Sequence, residues 1–64
     1  MPNNTIDGPK IENLELKRNL IKEVTNAVER AYTISKEHII IVIKENLPEN
    51  VGIGWILISD RRRT

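Results

Sequence analysis

The sequence predicts an α+β protomer of order β-α-β with a short C-terminal β element, built to associate with copies of itself. Three observations lead there. Apolar residues recur with helical spacing between residues 14 and 32. A β-branched run, Ile39-Ile40-Ile41-Val42-Ile43, shows no polar alternation and reads as a strand covered on both faces. The chain has 64 residues and no cysteine. A domain of about that size buries only about 60% of its unfolded surface and needs reinforcement. Disulfides cannot supply it, and one helix covers only one face of a sheet, so a second subunit is expected.

Residues 2–7 are short and extended in character, although Asn3, Asn4 and Asp7 are weak strand formers. Gly8-Pro9 reads as a turn. Asn13 stands directly before the periodic segment, where its side chain can accept the first unpaired helix amides. The helix follows from Leu14 to about Tyr32. Leu16, Leu20, Val24, Ala27 and Ala31 form its apolar stripe, widened by Ile21 and Val28. Residues 33–37 are a polar link to the second strand. Leu47-Pro48-Glu49-Asn50 is turn chemistry, and Gly52 and Gly54 flank Ile53 as glycines of tight turns or close backbone approach. Trp55-Ile56-Leu57-Ile58 reads as a further short strand, in a hairpin or against a neighbouring subunit. Residues 60–64 form a charged tail, and the whole of 1–64 is one domain.

Composition narrows the function. Hydrophobic residues are 39% and charged residues 30%, as in a soluble globular domain. A net charge of +1 gives no general drive toward nucleic acid or an anionic membrane. The apolar run at 39–43 is far shorter than the roughly 20 residues of a membrane span. No basic region precedes an apolar one at the N-terminus, so no signal peptide is expected and a cytoplasmic location is. Without cysteine, and with one histidine among scattered carboxylates, neither a metal site nor a cofactor is expected.

Met1-Pro2, Gly8-Pro9, the helix with Leu20-Ile21-Lys22-Glu23-Val24, the strand through Glu45 and Gly52-Ile53-Gly54 occur in an order and at distances that resemble the 4-oxalocrotonate tautomerase family. The resemblance runs from Pro2 to about Asp60 without a gap. It implies a β-α-β protomer that pairs into a dimer with a four-stranded sheet, three dimers making a hexamer. It also implies isomerase chemistry: an amino-terminal proline moves a proton within an unsaturated 2-hydroxy or 2-oxo acid, exchanging enol and keto forms. Pro2 would be that base once Met1 is removed, because only a terminal proline has a free secondary amine.

The sequence departs from the family where substrate is held. The positions of the family's two substrate-binding arginines carry Glu12 and Ile40, and that of its aromatic wall carries Val51. Replacement cations are Lys10, Lys44 and Arg61, the last within an Arg61-Arg62-Arg63 run that either folds over a neighbouring site or is solvated. Trp55 is either a replacement aromatic wall or an apolar interface residue. His38, at the start of the second strand, reads as an exposed polar residue, and Tyr32, near the helix end, as packed with its hydroxyl reaching water. Two other readings stay open. One is an oligomeric module of the same fold without catalysis, motivated by Glu12 and Ile40. The other is a nucleic-acid contact by the arginine run, which no aromatic platform accompanies.

Overall fold

A computed structural model describes residues 1–61. The first strand, β1, spans Asn3–Pro9; helix α1 spans Leu14–Tyr32; the second strand, β2, spans Ile40–Asn46. β1 and β2 pair in parallel, in a register from Asn3 opposite Ile40 to Pro9 opposite Asn46. A parallel pair needs a crossover connection, and α1 supplies it. The expected β-α-β order is therefore present.

β1 runs past the expected turn at Gly8-Pro9. Both residues occupy the last two rungs of the ladder, opposite Glu45 and Asn46. β1 lies at the sheet edge, where a proline's missing N–H costs no ladder bond. Asn46 holds this end from the neighbouring strand: its side-chain amide donates to the Asp7 carboxylate and, at 3.3 Å, to the Gly8 carbonyl.

α1 begins where Asn13 places it. The Asn13 side-chain oxygen accepts from the amides of Glu15 at 2.8 Å and Leu16 at 3.4 Å. The helix ends at Thr33, in the left-handed region with φ 53°, whose N–H reaches the Glu29 carbonyl at 2.9 Å. Leu20, Ile21, Val24 and Val28 are half-buried, whereas Leu16, Ala27 and Ala31 of the expected stripe are exposed. The apolar surface of α1 is thus wider than one two-stranded sheet can cover.

A one-turn 3-10 helix, Lys36–His38, leads into β2 and contains His38, which lies before the strand rather than at its start. Along β2, Ile41 and Ile43 are half-buried, while Ile40 and Val42 remain 45% and 46% exposed. Glu45, of the same parity as Ile41 and Ile43, reaches Lys17 of α1, so those residues face the helix. Ile40 and Val42 face away from it on an uncovered side.

After a second 3-10 turn, Pro48–Asn50, strands β3 (Gly52–Ile53) and β4 (Ile56–Leu57) form an antiparallel hairpin. The Ile58 amide closes its base by donating to the Val51 carbonyl at 2.9 Å. A short helix, α2 (Ile58–Arg61), packs against the Pro48–Asn50 turn. Ile58, Asp60 and Arg61 are therefore helical, where the sequence suggested a strand end and a tail; Arg62 and Arg63 lie outside the described residues.

No described residue is buried. The radius of gyration is 15.3 Å, against about 10.7 Å for a compact chain of this length. The chain exposes 5351 Å², about 1,100 Å² more than a compact monomer of its mass. One chain builds two layers and a projecting hairpin without closing a core.

Candidate active site

Pro2 sits immediately before β1 and is half-buried. Its carbonyl accepts the Ile40 amide at 3.1 Å, so the parallel ladder extends to the proline and fixes its backbone. Its neighbours along the two strands are Asn3, Asn4, Ile40 and Ile41, all uncharged. Ile40 thus stands directly beside Pro2, with its side chain on the uncovered face. In the full chain the Pro2 nitrogen is an amide bonded to Met1, which is 75% exposed.

The candidate cations lie at the other end of the strand pair. Lys44 pairs with Asp7, five residues along β1 from Pro2, or about 17 Å at the rise of a strand. Lys10 follows the end of β1, about 26 Å from Pro2 on the same measure. Arg61 ends α2, beyond the hairpin. Trp55 occupies the hairpin tip, 99% exposed. Within one chain these four residues do not come together with Pro2. Glu12 lies in the β1–α1 connection and is exposed, also at the far end.

That far end is braced by a residue that sequence reasoning passed over. Glu45 Oε2 accepts the Lys17 ammonium at 2.8 Å and the Ile11 amide at 3.0 Å. The hydrogen bond from Lys17 and then that from Ile11, with smaller contributions from the charges of Lys17 and Lys10, hold its carboxyl below the usual glutamate range. The brace ties β2 to α1 and fixes the connection that carries Lys10 and Glu12. The available signal was parity: a carboxylate in step with Ile41 and Ile43 must face the helix, and there it needs a cationic partner.

A cleft with mostly apolar walls also lies at this end. It measures about 310 Å³ and is lined by Asp7, Pro9, Asn46, Pro48, Val51 and Ile58 among others. Val51, at the position of the family's aromatic wall, is therefore half-buried in the cleft rather than near Pro2 of its own chain. Among the described residues, no cluster of three His, Asp or Glu side chains is placed to hold a metal ion. None of the described helices is long and apolar enough to cross a membrane.

Comparison with known proteins places this geometry. The profile of the tautomerase enzyme family matches residues 2–61. The crystal structure of YwhB, a homologue of 4-oxalocrotonate tautomerase, is 30% identical and superposes with a TM-score of 0.85, over 92% of this chain and 97% of that one. A structure of the 4-oxalocrotonate tautomerase isozymes of Methylibium petroleiphilum shares the fold at 23% identity, with a TM-score of 0.86 over 95% of each chain. A heterohexameric 4-oxalocrotonate tautomerase from Chloroflexus aurantiacus J-10-fl does so at 20% identity, with a TM-score of 0.83 over 94% of this chain and 97% of that one. A search of curated protein sequences found no match. The family match spans nearly the whole chain and the fold agrees with it, so the chain belongs to the tautomerase family, among the homologues of 4-oxalocrotonate tautomerase.

Proposed function

We propose that this chain is a tautomerase that interconverts the enol and keto forms of an unsaturated 2-hydroxy or 2-oxo acid, with Pro2 as general base after Met1 is removed. The observation that carries this reading is Pro2 itself. It stands second in the chain, is anchored by the Ile40 amide and is flanked by uncharged residues. A solvated α-amino group titrates near 7.7–8. Apolar surroundings and nearby cations disfavour the protonated amine and bring its pKa toward neutrality, where a general base works best.

In the forward direction the neutral amine takes the proton of the enol hydroxyl. The O–H electron pair becomes the carbonyl π bond, and the carbon–carbon π electrons move to the terminal carbon. The prolinium then returns its proton to that carbon, leaving the keto acid and the free amine. Cations near the oxygen stabilise the negative charge that develops there.

Those cations come from neighbouring chains in this reading, because Lys10, Lys44 and Arg61 are remote from Pro2 within one chain. A second protomer lying antiparallel on the uncovered face brings its Lys44 toward the Pro2 end of the first. The uncovered apolar face and the excess exposed area support a homo-oligomer, read as a hexamer of three dimers by analogy with the fold's hexameric relative. Trp55, exposed at the hairpin tip, is placed to contact another chain rather than the Pro2 of its own. The location that fits is cytoplasmic.

Ile40 and Glu12 support a second reading, a tautomerase-fold oligomer without catalysis, since neither side chain can bind a carboxylate as arginine does. Ketonisation of 2-hydroxymuconate or of the enol of phenylpyruvate by Met-free protein separates the two. The enzyme reading expects activity that Pro2→Ala abolishes. Activity indifferent to that substitution would sink it.

A further inference from the structure

The β3–β4 hairpin turns through two residues, Gly54 and Trp55, both with φ 56°. Two positive φ angles are what a tight type I′ turn needs to match strand twist. Gly54 adopts that conformation freely. Trp55 does not, because a bulky side chain in the left-handed region is a steric outlier. A second glycine would suit the turn better. The tryptophan gains nothing in exchange within its own chain, since it is 99% exposed.

At the base of the same hairpin lies the cleft of about 310 Å³ described above. Pro9, Pro48, Val51 and Ile58 give it apolar walls, and Asp7 and Asn46 are its polar members. Asn46 donates to one Asp7 carboxylate oxygen, which leaves the other to accept an indole N–H. Two residues of each strand separate tip from base, so the hairpin cannot fold its tip into its own cleft. Two hairpins lying antiparallel can, because each tip then meets the other's base and the contact closes with two-fold symmetry. The chain has surface to spare for this. Its excess of about 1,100 Å² exceeds the roughly 800 Å² that each partner contributes to a stable interface.

We infer that Trp55 is an intersubunit anchor whose ring seats in the Pro9–Pro48–Val51–Ile58 cleft of a second copy of this chain. The anchor explains why a strained tryptophan stands at the hairpin tip. Tryptophan is also the residue type most enriched among those that dominate interface energy. The inference does not depend on the proposed reaction. A wall for substrate changes kinetics at constant assembly, whereas an anchor changes assembly itself.

Trp55→Gly gives the sharpest test, because the two accounts predict opposite signs. With no partner for the ring, glycine relaxes the turn and leaves association unchanged or the fold more stable. As an anchor, its loss weakens association at least about thirtyfold, read by sedimentation across a dilution series. Trp55→Phe keeps an aromatic ring and restores much of the association. Trp55 is the only tryptophan. Its emission in the assembled protein should lie to the blue of the unfolded chain and resist acrylamide. Val51→Asp in the cleft, or Pro48→Ala should Val51→Asp lose its circular dichroism, should shift it to the red. Unchanged association in Trp55→Gly, or full quencher access in the intact wild type, overturns the anchor. An emission unmoved by the cleft substitution overturns the cleft as its seat.

Discussion

Replacing Val42 by aspartate places a carboxylate in the middle of the face that α1 leaves bare. Val42 lies on that face two residues from Ile40, opposite Thr5, and is 46% exposed. If a second copy covers the face, the exposed half of the valine contributes about 1 kcal/mol to association. A carboxylate in its place loses that and adds a desolvation cost of several kcal/mol. Together these amount to about 4 kcal/mol for each covered position, or about a thousandfold in the association constant. Sedimentation velocity across a dilution series, with circular dichroism to follow the fold, measures the effect. The substituted chain should be smaller than wild type at every concentration. It should also melt lower, since assembly and stability are linked by mass action. Glu23→Lys, on an exposed helix position, is the control and should do neither. A Val42→Asp chain with wild-type mass and dilution behaviour refutes the reasoning that this face is covered.

Three further outcomes follow from local geometry. Asn13→Ala removes the acceptor for the Glu15 and Leu16 amides and should cost about 1 kcal/mol, a fall of about 4–8 °C in Tm by calorimetry at fixed protein concentration, with Asn13→Gly losing less. The Glu45 carboxyl is held low in the fold, so its contribution is complete above the usual glutamate range and is lost as the pH falls through the lowered value. The wild-type minus Glu45→Gln difference in Tm should therefore be constant near neutrality and shrink in acid. Lys44→Ala and Lys10→Ala should raise KM for a carboxylate substrate more than they lower kcat, as steady-state kinetics of the Met-free protein would show.

The helix was legible almost to the residue. Asn13 carries its own start signal, and the spacing from Leu14 to Tyr32 admits no strand. The order of elements and the family were legible too, because β-branched runs and glycines at fixed distances survive as local patterns. Gly8-Pro9 misled because its composition is that of a turn, and only the pairing with Glu45 and Asn46 keeps it in the ladder. Leu16, Ala27 and Ala31 share the spacing of the residues packed on the sheet, and periodicity does not say which part of a wide stripe one chain covers. The Glu45–Lys17 brace joins residues 28 apart, beyond any local rule. For the candidate site, Pro2 stands out in the sequence by its place beside Met1. The remoteness of Lys10 and Lys44 from Pro2 does not show there, because it follows from the parallel register, which sets both strand starts at one end.

The central claim is that the Pro2 nitrogen acts as the base only when it is terminal. The most direct test compares two preparations of this one sequence, with Met1 retained and with Met1 removed, each verified by mass, in the same ketonisation assay. The account predicts activity in the Met-free chain and none above the uncatalysed rate when Met1 is retained. Equal activity in both would contradict it, since Pro2 behind Met1 is an amide with no basic nitrogen.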